Sequence, residues 1–395
     1  MSFMLNWRMP DVRIFRLQSR RHILNFVVLL GGIFVPVATS ALEVRAKQAV
    51  LRDFDTGVDL YSKNADDLMS PASMTKMMTI YLLFERLKEG RLAFDDEFPV
   101  SRKAWRKGGS KMFVEAGKRV RVEDLVRGIV VQSGNDATIV VAEGLAGSED
   151  AFAREMTVKA RDLGMSNTTF RNASGWPDPE HRTSARDLAI LADATIRNFP
   201  KMYRYYAERE FTYSGISQRN RNPLLSHFRG ADGLKTGHTE AAGYGLTASA
   251  TKKGRRLILV LNGLPSARAR RVESKRILDW GFREFGNYKL FETNEEIASA
   301  GVWLGEASHV PLLAKQGILM TLERKYRKSL KVKIRHAAPV PTPIEKGARL
   351  GTIIVEVTGR NPIKIPLIAG ESVERLGPSG RLSAALSYLL WGASK

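Results

Sequence analysis

LMSPASMTKMMTIY, residues 68–81, is the stretch on which the reading of this chain turns. Its centre has the marks of a helix start: Ser70 stands as an N-cap, Pro71 suits the first helical position, and good helix formers follow. Ser73 and Lys76 lie three residues apart and so share one face of such a helix. The pair is either an ordinary surface turn or a nucleophile held beside its base. On a helix start the lysine amine reaches the serine hydroxyl, and the free N–H groups of the first turn are available to a developing oxyanion.

The spacing alone decides little, because Ser249 and Lys252 in ASATKKG repeat it. That segment reads as a strand running into a basic turn, which puts its serine and lysine on opposite faces. Two other elements favour the first pair. Ser133-Gly134-Asn135 falls between two apolar helical runs, and Lys235-Thr236-Gly237 falls just before a strand.

Other chemistries are disfavoured. The chain has no cysteine, which removes disulfides, thiolate metal sites and cysteine nucleophiles. Its six histidines (His22, His181, His227, His238, His309 and His336) form neither H-x-x-x-H nor H-E-x-x-H. No metal and no cofactor is expected. There is no Gly-rich phosphate loop and no G-x-S-x-G elbow.

The 395 residues, 44% hydrophobic and 26% charged, are ample for two or three domains. The net charge of +21 calls for a polyanionic neighbour. The N-terminus chooses among such neighbours. Five Arg against one Asp precede an apolar run from Ile23 to Val37, and Ala38, Ser40 and Ala41 follow it. This run is shorter than a membrane span of ~20 residues, so residues 1–41 read as a secretory signal rather than an uncleaved anchor. Their removal lowers the charge from +21 to about +17. An exported protein of that charge points away from nucleic acid and towards anionic lipid or wall polymer, and so to the periplasmic side of a bacterial inner membrane.

Between residues 42 and 287 the pattern mixes strands and helices. AVLRDFDTGVDLYSKN reads as a hairpin, a block of helices follows, and GYGLTASAT and RRLILVLNG read as late strands. An α+β domain follows from this order: an antiparallel sheet flanked by helices. Residues 288–370 are short alternating segments separated by turns, a small all-β domain. Lys331, Lys333 and Arg335 share one face of a strand there, read as a solvated face. Residues 371–395 end in an amphipathic helix, with Leu382, Leu386, Leu389 and Leu390 on one stripe and Tyr388 and Trp391 nearby. Such a tail suits a membrane interface.

The order S-x-x-K, S-x-N, K-T-G resembles the penicillin-binding and active-site-serine β-lactamase superfamily. SPASMTKMMT, GGSKMF, VQSGNDA, LGMSNTTFRNASG, TSARDLAIL, NRNPLL and DGLKTGHTEAAGYGL together resemble its D-alanyl-D-alanine carboxypeptidases. The resemblance implies a β-lactamase/transpeptidase-like fold, then a β-rich domain and an anchoring helix. It implies a peptidoglycan stem peptide as substrate, β-lactams as inhibitors and an acyl-enzyme on Ser73. Lys76 would be the base, and Ser133 a proton relay. Asn135 would bind the substrate amide. The N–H groups of Ser73 and His238 would form the oxyanion hole. Lys235 and Thr236, ahead of Gly237, would take the substrate carboxylate, with Arg221 and Arg270 shaping that subsite. Trp176 departs from the family's Gly-Leu-Pro and either lines the cleft or packs its loop. Glu180 would by position serve a β-lactamase as the carboxylate that activates water. The alternatives carried forward are a β-lactamase, a D,D-endopeptidase and a non-catalytic wall-binding protein.

Overall fold

The computed structural model describes residues 42–391, without the side chains of Ser387, Tyr388 and Trp391. The expected leader therefore lies outside the described residues, as do the side chains of the tail's aromatic pair, Tyr388 and Trp391. The chain forms two compact units, Val44–Tyr288 joined by Met320–Lys325, and the remainder from Lys289 onward.

The first unit is built on a five-stranded antiparallel sheet. Its order is Asp59–Lys63, Gln48–Asp53, Arg255–Leu264, Gly243–Lys252 and Ala231–Thr239. The opening hairpin falls where the Asp-Thr-Gly turn predicts it. The central strand, Arg255–Leu264, is apolar on both sides, and Leu257 to Leu261 are all fully buried. Alternation sends Ile258 and Val260 into the core of the helical block. On the other side Leu257 closes on Gly281 of the helix Ala267–Glu284, where an added β-carbon would meet it at 3.0 Å.

The helix Lys76–Lys88 runs through the middle of the helical block. All nine residues from Lys76 to Phe84 are buried, so this helix has no solvent face in its first two turns. It ends at a glycine: Gly90 takes φ +70°, and the Arg91 N–H returns to the Arg86 carbonyl at 3.0 Å. Its start differs from the sequence reading. Pro71 is the capping residue, no side chain caps the turn, and Ala72–Thr75 form a 3₁₀ turn before the α-helix begins. Ser70 is not the cap because the chain arrives pinned, with Met69 and Thr183 exchanging backbone hydrogen bonds of 2.8 and 3.0 Å. The Lys235-Thr236-Gly237 motif also differs. It lies within the edge strand Ala231–Thr239, not ahead of a strand.

In the second unit a six-stranded sheet runs Lys331–His336, Arg349–Glu356, Ile363–Ala369, His309–Ala314, Glu296–Trp303 and Val340–Pro341. Its one parallel pairing is the last. Lys331 and Arg335 stand exposed on the edge strand, while Lys333 pairs with Glu356 at 2.8 Å. Cations on an edge discourage pairing with another chain. The terminal helix is Pro378–Trp391, with Leu382, Leu386, Leu389 and Leu390 all exposed. Among the described residues no helix is long and apolar enough to cross a membrane.

Candidate active site

A 3₁₀ turn has three residues per turn, so side chains at i and i+3 eclipse. The turn Ala72–Thr75 thus sets Ser73 directly over Lys76, with Nζ 2.9 Å from Oγ. Lys76 also donates to Asn135 Oδ1 at 2.8 Å and to the Ser174 carbonyl at 2.6 Å, which engages all three ammonium hydrogens. The amine is fully buried with no carboxylate against it. Burial, aided by the Arg221 guanidinium and opposed by Asp136, brings its pKa from 10.5 down to about 7. Ser73 precedes the first intrahelical bond, Met74 N–H to the Pro71 carbonyl, so its own N–H lies among the donors that the turn leaves free.

Ser133 sits between the helices Val122–Val130 and Asn135–Ala146, buried at φ +61°. Neither it nor Asn135 caps the second helix, whose capping residue is Gly134. Asn135 is used at both ends, since its Nδ2 donates to the Gly108 carbonyl at 2.9 Å. Asp136 beside it accepts from the N–H groups of Met112 and Phe113, both at 2.8 Å, and so ties the 108–114 segment to this helix.

The edge strand delivers the third element. Gly237 has no room for a side chain: a β-carbon there would lie 2.8 Å from the Pro71 carbonyl and 3.4 Å from Ala72 Cβ. The motif's glycine is therefore a close-approach residue that lets the strand rest on the turn that carries Ser73. Lys235 and Thr236 are buried beside it. Burial and the charges of Lys76, Arg221 and Arg270 hold the Lys235 pKa well below its ordinary value. Arg270 lies in the helix Ala267–Glu284, its guanidinium 5.7 Å from the Tyr244 ring and one nitrogen, Nη1, 3.4 Å from the Gly245 carbonyl. Burial lowers it to about 10, and its Nε has no partner among the described residues. Arg221 reaches Ser110 Oγ. None of these four cations makes a salt bridge among the described residues. The His238 side chain is exposed and lies against Tyr244, ring centres 3.9 Å apart.

Sequence reasoning did not single out what holds the turn from behind. Asn172 Oδ1 gathers the N–H groups of Gly175 and Trp176 at 2.8 and 2.9 Å, shaping a tight loop. That loop is fastened to the helix Lys76–Lys88 through the Ser174 carbonyl on Lys76 and the Ala173 carbonyl on Thr79. Gly175, at φ +80°, passes so close that a β-carbon would fall 1.7 Å from the Ala72 carbonyl oxygen. His181 is buried against Thr75 Oγ1 at 2.8 Å, and its Nδ1 accepts from the Arg171 N–H. The proton therefore sits on Nε2, and burial lowers the ring's pKa to about 4. The run NASG and the long irregular loop were the available signals. Glu180 is turned away, exposed and paired with Arg171 at 2.7 Å. Trp176 lies against Gly108 and Gly109, partly exposed.

Residues 35–265 match the family model described as D-alanyl-D-alanine carboxypeptidase, and residues 285–375 match that of the penicillin-binding protein 5 C-terminal domain. The chain is 38% identical to the D-alanyl-D-alanine carboxypeptidase DacC of Escherichia coli, over 89% of this chain and 91% of the relative. It is 35% identical to DacF of Bacillus subtilis, over 86% and 88%. The structure of penicillin binding protein 5 from Haemophilus influenzae superposes with a TM-score of 0.77 at 36% identity, covering 85% of this chain and 99% of that one.

Proposed function

The chain belongs to the D-alanyl-D-alanine carboxypeptidase family, and from that premise we propose how its residues share the work. It is a serine carboxypeptidase of the penicillin-binding type, acting on peptides that end in D-Ala-D-Ala. The observation that carries the scheme is the Ser73–Lys76 contact of 2.9 Å, made by a buried lysine with a pKa of about 7. Half of such a lysine is neutral at pH 7, so it can take the Ser73 proton as the oxygen attacks the penultimate carbonyl. The N–H groups of Ser73 and His238 receive the oxyanion. Ser133 passes a proton to the leaving D-alanine amine, and Asn135 holds the substrate amide. Lys235, Thr236, Arg270 and Arg221 hold the terminal carboxylate, because Lys235 and Arg270 are buried cations that make no salt bridge among the described residues and so suit an anion. Water then releases the acyl group.

A β-lactamase route by way of Glu180 lacks support, since that carboxylate is engaged with Arg171. The substrate class is the stem peptide of peptidoglycan, and β-lactams acylate the same serine. The roles extend to the whole chain: residues 1–41 as export leader, 42–287 catalytic, 288–370 a β-rich domain and 371–395 a peripheral anchor on the anionic periplasmic face of the inner membrane. The exposed leucines of Pro378–Trp391 support the last of these.

Mass spectrometry after penicillin treatment tests the site, with Ser73 as the acylated residue. Acylation elsewhere, or no D-alanine released from a D-Ala-D-Ala peptide, overturns the scheme. Deleting residues 371–395 should free the protein from membranes, and persistent binding would refute the anchor.

A further inference from the structure

The rim of the site carries an aromatic ring and a cation that the catalytic scheme leaves unused. Trp176 follows Gly175 and is 42% exposed. The outer edge of its six-membered ring comes up to Gly109, where a β-carbon would lie 3.2 Å from Cζ3 and 2.8 Å from Asn135 Nδ2. The indole and the Asn135 amide are therefore separated by one glycine, and Asn135 in turn touches Lys76. Lys107 lies over the same indole, its ammonium 4.2 Å from the ring centre.

Lys107 is half-buried, and among the described residues it makes no salt bridge. The nearby acid Glu149 is occupied, paired with Lys103 at 2.9 Å. A partly desolvated cation without an anion, resting on a flat apolar face, suits a ligand with an aliphatic stem and an anionic tip. An indole can hold the ammonium in place through its ring face. The leucine that stands here in the family's usual Gly-Leu-Pro cannot.

We propose that Trp176 and Lys107 form a subsite for a carboxylate-bearing side chain on the residue preceding D-Ala-D-Ala. The stem of that side chain lies on the indole and its carboxylate on the Lys107 ammonium. The inference rests on the carboxypeptidase reading above. It makes the chain selective for an acidic over a neutral residue at that place.

The test uses the full chain and three acetylated peptides, X-D-Ala-D-Ala, with X glutamate, glutamine or lysine. The wild type should show kcat/KM about tenfold higher for glutamate than for glutamine, and lowest for lysine. In Lys107→Gln the glutamate-to-glutamine ratio should fall to within about twofold, and in Trp176→Leu to roughly threefold. Penicillin labelling of Ser73 reports that each variant is folded. A wild-type ratio near one, or a ratio unchanged by Lys107→Gln, overturns the subsite while D-alanine release still upholds the carboxypeptidase. No release from any of the three peptides overturns both.

Discussion

Ser73–Lys76 and Ser249–Lys252 have the same spacing in one chain and meet opposite fates. In the first, a 3₁₀ turn stacks the pair and the start of a buried helix removes the amine from water. In the second, a strand divides it. Ser249 is buried in the sheet, where it accepts from Arg256, while Lys252 pairs with Asp279 at 2.9 Å and lies over the Phe228 ring at 4.0 Å. One lysine has a carboxylate and no serine, and the other a serine and no carboxylate. The pair proposed as reactive is thus distinguished by secondary structure and by a withheld counter-ion, neither of which belongs to the four-residue pattern.

Substitutions can break that contrast, and the largest effect falls on Ser73, the proposed nucleophile. Ser73→Ala should cut penicillin acylation by about 10⁴-fold or more, whereas Ser249→Ala should leave it unchanged in a stopped-flow assay. Lys76→Met should lower acylation by on the order of 10³-fold while raising Tm. The sign follows from linkage. The folded pKa of about 7 lies below the ordinary 10.5, so the cost of burying the charge is fully present below pH 7 and is relieved between pH 7 and 10.5. Denaturation against pH should show wild-type stability rising across that window, with the slope weakened in Lys76→Met. If Lys76→Met lowers Tm instead, the lysine is not held at a cost.

Gly175→Ala sharpens the comparison from the loop side. The clash with Ala72 and the left-handed backbone should destabilise the fold by about 3 kcal/mol and slow acylation, as read by urea unfolding and labelling. In the wild type, kcat/KM should fall about tenfold per pH unit below an inflection near pH 7, because a protonated Lys76 cannot accept the serine proton. A flat profile from pH 5 to 8 would remove it as the base. The smallest effect belongs to Lys252→Ala, which should cost under about 1 kcal/mol, since partly exposed ion pairs contribute little, and leave acylation intact.

Much of this was legible before the fold. The three motifs, the hairpin at Asp-Thr-Gly and the split of Ser249 from Lys252 all depend on local spacing and periodicity. The cap at Ser70 and the strand boundary near Lys235 were misread because tertiary pairing set them: Met69 with Thr183 in the first case, and the edge of the sheet in the second. Gly237 shows the same limit. Its identity was visible in the motif, but its reason, the Pro71 carbonyl behind it, lies far away in sequence.

The sequence by itself determined the reaction class and singled out Ser73 and Lys76 as the proposed nucleophile and base, because motif order and local spacing survive without coordinates. Only the tertiary structure decided the lysine's proton affinity, the clasp of the Asn172–Gly175 loop, His181 behind Thr75, and the Lys107 ammonium on Trp176. The reason is physical. Burial and the absence of a counter-charge are properties of everything packed around a group, and residues far apart along the chain supply them.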